Sequence, residues 1–278
     1  MHWRPRLLGL QMLLLLTYPI KTIPWLFSKR YKAIEIPTRG RHTLRATIFE
    51  PPQRSSKHLR PLHLNFHSGA FVGGIADAHA DWCSLLSDKT GSVVISADYR
   101  LAPWNLFPCA HEDGEDVVDW IIKHSRDFWN ADPSTLTVSG FSAGCNIMFT
   151  AGNRARAAVG FYAPVDLRLP PWEKPKSEHF PKSDPMAFLL PLYDAYAGAK
   201  RDETMNDSRL HPILKPFDEV PNNILFIVPL IDILVKEQLA FIERLNHQLA
   251  AQSKASSRRF ETITFEKAFH GWLECELI

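Results

Sequence analysis

Ser142 stands in Gly140-Phe141-Ser142-Ala143-Gly144, a Gly-x-Ser-x-Gly placed where the local pattern changes. The β-branched run of residues 135–139 leads into it. A helix-capable run follows at residues 143–156, rich in Ala and with Met148 and Phe149 to bury. Strand, tight turn and helix in that order lift a serine hydroxyl onto a sharp bend above a sheet. The flanking glycines let the turn close without a side chain striking its backbone. A serine hydroxyl becomes a useful nucleophile only when a base takes its proton and a third group orients that base. The chemistry at stake is attack on a carbonyl.

The partners can be sought by position. After the apolar run of residues 223–228 comes Pro229-Leu230-Ile231-Asp232, and Asp232 is the carboxylate at that strand's end. After residues 260–265 comes Ala268-Phe269-His270-Gly271, which puts His270 at the end of the last strand. Ser, acid, His is one of the chain orders in which such a triad is built on a sheet. Each residue alone has a plain structural alternative. Asp232 could cap the helix after it, and His270 is one of twelve histidines. Their joint placement at three strand ends favours the triad. The turn after the strand of residues 62–67, Ser68-Gly69-Ala70-Phe71-Val72-Gly73-Gly74, supplies the fourth part. The N–H groups of Gly69, Ala70 and Ala143 form the expected oxyanion hole, while His67 ties the loop together by hydrogen bonds.

The elements that must hold these residues follow a strand–helix alternation. Residues 33–36 and 43–50 alternate apolar and polar, as half-covered antiparallel strands do. Residues 92–96 are continuously apolar or small, the pattern of a parallel strand covered on both faces. Helices are expected at residues 77–86, 112–124 and 235–251, and a further strand at 157–162. The fold class is therefore α/β: a mostly parallel sheet flanked by helices on both faces. Between residues 166 and 221 the alternation lapses into a Pro-, Lys- and Asp-rich segment with one apolar helix-like piece at 185–196. An insertion that long reads as a cap or lid, the alternative being a long surface loop. One catalytic domain over residues 31–278, preceded by a hydrophobic segment over residues 1–30, is the expected organisation.

That first segment places Arg4 and Arg6 before an apolar run at residues 7–16, too short to span a bilayer. No small-residue cleavage site follows it, as a secretory signal would require. A signal anchor, a membrane-surface helix and a helix packed over the domain all stay open. Tyr18, Lys21 and Trp25 favour the last two, with membrane-surface contact through residues 1–27. A net charge of +2 argues against nucleic-acid binding. Four cysteines without C-x-x-C spacing suit a reducing, intracellular setting, cytoplasmic or membrane-associated, though secretion stays open. No metal or cofactor is implied, and the oligomeric state is not legible.

The motifs together resemble the hormone-sensitive-lipase-like group of α/β-hydrolases, which includes arylacetamide-deacetylase-type and many microbial and fungal esterases. His67-Ser68-Gly69-Ala70-Phe71 is similar to its His-Gly-Gly-Gly-Phe motif, and Asp98-Tyr99-Arg100-Leu101-Ala102-Pro103 matches a second signature. Asp113 and Trp120 fall on the helix after it. Asp232-Ile233-Leu234 resembles Asp-Pro-Leu, and His270-Gly271-Trp272 resembles His-Gly-Phe. The resemblance implies an α/β-hydrolase fold with Ser142 as nucleophile, His270 as base and Asp232 as its orienter. It also implies a cap built from residues 1–35 and 167–216. There are departures. Ser68 and Ala70 replace glycines, which is harmless where their φ angles are negative. Phe141 stands where many members have Asp, and Lys236 replaces a second acid. Only eight residues follow His270, so the usual final helix is missing or shortened.

The expected activity is cleavage of a small-molecule carboxylic ester through an acyl-enzyme. Phe71, Phe141 and Trp272 are expected to line an apolar pocket. Two alternatives use the same residues differently: acyl transfer or ring closure in a biosynthetic pathway, and a catalytically silent ligand-binding protein.

Overall fold

The computed structural model describes residues 25, 28–52, 58–184, 187–252 and 257–274. Eight strands form one sheet: β1 (Tyr31–Pro37), β2 (Thr43–Phe49), β3 (Leu62–Phe66), β4 (Val93–Ala97), β5 (Thr137–Phe141), β6 (Ala157–Phe161), β7 (Asn223–Ile231) and β8 (Arg259–Phe269). Their order is β1-β2-β4-β3-β5-β6-β7-β8. The β1–β2 and β2–β4 pairs are antiparallel, and every pair from β4 through β8 is parallel. The parallel strands therefore end on one edge of the sheet. Ser142, Asp232 and His270 each follow directly on such an end.

The helices that return the chain are α1 (Ala80–Thr90), α2 (Cys109–Trp129), α3 (Ala143–Met148) and α6 (Val235–Ala250). Both faces of the sheet are covered. Val93 and Ile95 pack in the main core with Val117 and Ile121 of α2. Val94, pointing the other way as the period of two requires, packs with Ala80 and Cys83 of α1. Double-sided burial is why β4 reads as a continuous apolar run.

Several expectations shift in extent: the helix expected over residues 77–86 is Ala80–Thr90, the one over 112–124 is Cys109–Trp129, and the strand over 223–228 runs on to Ile231. The helix after Ser142 ends at Met148 and passes into a 3-10 turn over Phe149–Arg154, because Gly152 adopts φ 55°, ψ −143°, which no helix continues. The strand before His270 runs to Phe269, four residues beyond the expected end. The segment over residues 167–216 contributes only short pieces, the longest being α4 (Leu190–Asp194) and α5 (Arg201–Thr204). Nearly all of the hydrophobic segment over residues 1–30 lies outside the described residues. Of it, Trp25 packs against Tyr31 and Phe49, with ring centroids 6.2 and 6.0 Å apart. Among the described residues no helix is long and apolar enough to cross a membrane. After His270 a 3-10 turn covers Trp272–Glu274.

Candidate active site

β5 delivers the chain to Ser142, whose backbone sits at φ 49°, ψ −119°. A non-glycine residue there is strained by about 1–3 kcal/mol and must be held by its surroundings. Its N–H donates to the Phe161 carbonyl at 3.0 Å, and its own carbonyl accepts from the Cys145 N–H at 2.8 Å. The glycines make room for the bend. A Cβ on Gly140 would lie 2.4 Å from the Gly144 carbonyl, and a Cβ on Gly144 would lie 2.2 Å from the Phe66 carbonyl. Both obstacles are backbone, which cannot rotate away. Gly144→Ala is accordingly expected to destabilise the fold by at least about 2–3 kcal/mol. The check is a lower urea midpoint with an unchanged m-value.

Ser142 Oγ lies 2.8 Å from His270 Nε2, and His270 Nδ1 lies 2.8 Å from Asp232 Oδ2. Asp232 is buried, and its second oxygen accepts from the Leu234 N–H at 3.0 Å. Both carboxylate oxygens are thus occupied, which fixes the plane of the group and hence of the imidazole. Burial alone would lower the His270 pKa. The charge and hydrogen bond of Asp232, together with the charges of Glu274 and Glu237, outweigh it, so the imidazole titrates above its ordinary 6.5. The arrangement can move a proton from a serine hydroxyl to an imidazole whose cationic form is stabilised.

Ala70 and Ala143 share one cavity with Ser142 and His270, and Gly69 immediately precedes Ala70 on the loop. The signature of residues 98–103 holds the loop that carries Gly69 and Ala70. Tyr99 Oη donates to the His67 carbonyl at 2.9 Å while its ring stacks on that of His67 at 4.2 Å. The Ala102 N–H donates to the Phe71 carbonyl at 2.8 Å, and Arg100 is held by the buried Asp113. The condition of negative φ, under which replacing the motif's glycines is harmless, is met at Ser68 but not at Ala70: φ is +54° there, and +61° at Phe71. The loop curls back on the Gly69 carbonyl, which accepts from the N–H groups of Val72 and Gly73, both at 2.9 Å. That tight curl forces left-handed backbone on residues that bear side chains, at about 1–2 kcal/mol each.

The cavity over Ser142 holds about 380 Å³, within the usual range for small-ligand sites. Phe71 lines it, as expected. Phe141 and Trp272 do not. Phe141 leaves the end of β5 in another direction and is sandwiched between His79 and Phe161, with centroids at 3.8 and 4.3 Å. Trp272 is turned onto Tyr162 and Phe265. The largest share of the wall comes instead from the segment over residues 167–216, including Leu167, Phe180, Leu190 and Tyr193, joined by Ile233 and Phe269. Irregular stretches and a five-residue helix carry no periodicity from which the positions in the insertion could be read.

The missing second acid has a neighbour in its place. Glu237, one residue past Lys236, accepts from the N–H of Val165 at 2.9 Å and pairs with Lys174, a residue of the cavity wall. It thereby ties the insertion to the helix after Asp232. Two further residues, Tyr162 and Glu274, meet close to His270 without any sequence signal. Tyr162 packs 5.0 Å from the imidazole, centroid to centroid, and its hydroxyl bonds Glu274.

Comparison with known proteins identifies the fold family. A family model described as the alpha/beta hydrolase fold matches residues 63–274. Esterase LipI of Mycobacterium tuberculosis is 37% identical over 113 residues, 41% of this chain and 35% of that protein. Human hormone-sensitive lipase is 32% identical over 187 residues, 63% of this chain and 16% of that protein. The chain thus spans about a third or less of either relative's length. In structure, an esterase from Pyrobaculum calidifontis superposes with a TM-score of 0.78 at 24% identity, covering 96% of this chain and 86% of that one. With the matched region running from β3 to the turn beyond His270, the chain belongs to the α/β-hydrolase-fold family, where it resembles the hormone-sensitive-lipase-like group.

Proposed function

We propose that the protein is a serine hydrolase that cleaves carboxylic esters of apolar substrates through an acyl-enzyme. The observation that carries the reading is the unbroken relay Ser142–His270–Asp232, two hydrogen bonds of 2.8 Å at the floor of the cavity. Ser142 Oγ attacks the ester carbonyl and His270 Nε2 takes its proton. The oxyanion so formed is met by the N–H groups of Gly69, Ala70 and Ala143. None of the three donates to a backbone acceptor among the described residues, and Ala70 and Ala143 line the cavity. Collapse expels the alkoxide, which leaves as the alcohol with the proton from His270. Water then attacks the acyl-serine through the same base.

The cavity supports a neutral, apolar acyl or alcohol part. Leucine, phenylalanine, proline and isoleucine side chains make most of its wall. Of the cations on it, Lys174 is paired with Glu237 and Arg201 with Asp194, so neither is free to bind a charged substrate. The names of the esterase relatives point the same way. A fluorophosphonate probe followed by peptide mass analysis tests the reading, together with p-nitrophenyl esters of graded chain length. An adduct on Ser142 and turnover of the uncharged esters are expected; a protein that neither labels nor hydrolyses any of them rules the reading out.

A further inference from the structure

Four residues beyond His270, the Glu274 carboxylate joins three parts of the site that are far apart in sequence. Oε2 accepts from Ser68 Oγ at 2.5 Å, and Oε1 accepts from Tyr162 Oη at 2.7 Å. His79 Nε2 stands 3.9 Å from Oε2, beyond hydrogen-bond reach. Each partner has its own place. Ser68 immediately precedes Gly69 and Ala70 on the oxyanion loop. Tyr162 follows β6, is fully buried at φ +46°, and packs its ring near the imidazole of His270. Glu274 itself closes the turn that begins at Gly271, donating its N–H to the Gly271 carbonyl at 2.9 Å.

The serine matters here. The resembled motif has glycine at this place, and glycine offers no hydroxyl to a carboxylate. A hydroxyl–carboxylate bond is roughly twice as strong as one between neutral groups. It bears on a loop whose residues 70 and 71 are held in left-handed backbone, a conformation the loop would leave without restraint. The placement of two oxyanion donors relative to Ser142 is thereby coupled to the loop that carries the base.

We propose that Glu274 is a positioning residue for the oxyanion hole, acting through the Ser68 hydroxyl to hold the N–H groups of Gly69 and Ala70 in register with Ser142. The proposal rests on the hydrolase reading above. It concerns the step in which negative charge develops, so its effect falls on kcat more than on KM. A loosened donor, displaced by about an ångström, costs roughly 10- to 100-fold in rate.

The test is a double-mutant cycle with Glu274→Gln and Ser68→Ala in the full chain, on a short-chain p-nitrophenyl ester, with rates expressed per fluorophosphonate-titrated site. Each single variant is expected to lose roughly 10- to 100-fold in kcat with KM held within about twofold. The double variant should be no worse than the weaker single one. Independent losses that multiply, or kcat per titrated site unchanged in either variant even with a lowered melting temperature, would overturn the proposal. Should Glu274→Gln fail to fold, Ser68→Ala decides alone, since it leaves the Tyr162 bond in place. A wild-type protein that never labels at Ser142 would instead defeat the hydrolase reading, which keeps the two failures apart.

Discussion

Ser142→Ala is expected to lower kcat toward an uncharged p-nitrophenyl ester by about a millionfold and to abolish fluorophosphonate labelling, while the melting temperature stays close to that of the parent. The magnitude follows from the way a relay works as a unit. Without the nucleophile, His270 and Asp232 have no proton to move, and only binding and the oxyanion donors continue to act. The fold should survive because the hydroxyl is not what holds the bend. The bend is fixed by the backbone bonds of residue 142 to Phe161 and Cys145 and by the empty space at Gly140 and Gly144. Alanine keeps the strained φ of 49° but makes it no worse. Full activity in the variant would sink the assignment of Ser142, and unchanged ligand binding with no activity even in the parent would point to a silent binding protein.

The electrostatics of the site argue for a neutral substrate from the opposite direction. An apolar cavity strengthens every charge inside it, so an anionic substrate would need a free cation on the wall. Lys174 and Arg201 are already committed. Their pairs do structural work instead: Lys174–Glu237 crosses from the insertion to α6, and Arg201–Asp194 lies within the insertion. Screening and desolvation make the net worth of such pairs small or uncertain in sign. Their clearer consequence is geometric, since they fix which apolar side chains face Ser142.

The parts of this site that were legible in the sequence share one property: their position along the chain determines their position in space. Ser142, Asp232 and His270 each end a parallel strand, so the one-dimensional order of strands already places them on one edge of the sheet. Gly69 and Ala70 follow β3 by the same logic. What could not be read depends on where a side chain turns after its strand ends. Phe141 is adjacent to Ser142, yet stacking between His79 and Phe161 carries it away from the cavity. Tyr193 reaches the wall from a five-residue helix in a segment without periodicity. Glu274 and Ser68 are 206 residues apart, and nothing local in either stretch foretells the bond. Neither is the left-handed turn at Ala70 visible beforehand, because it arises from the curl of the loop onto the Gly69 carbonyl.

Asp232→Asn is the sharper probe of the relay, since it changes one atom and leaves the volume intact. In the parent, Oδ1 is engaged by the Leu234 N–H and Oδ2 by His270 Nδ1. An asparagine keeps its carbonyl toward the Leu234 N–H, the donor it can still satisfy, and so turns its NH2 toward the imidazole. A donor facing Nδ1 stabilises the tautomer with hydrogen on Nε2, which cannot accept the Ser142 proton. A fall in kcat of about four orders of magnitude is expected, with the fold retained. The pH profile carries a second signature. The base works only when neutral, and in the parent its pKa lies above 6.5, so kcat/KM should decline as pH drops through that raised value. Removing the carboxylate charge deletes the main influence that raises it and leaves burial, which lowers it, opposed only by the lesser influence of Glu274 and Glu237. The residual activity of the variant should therefore persist to lower pH than that of the parent. An acid limb that stays in place in Asp232→Asn would mean that some other group, and not His270 paired to Asp232, governs the reaction.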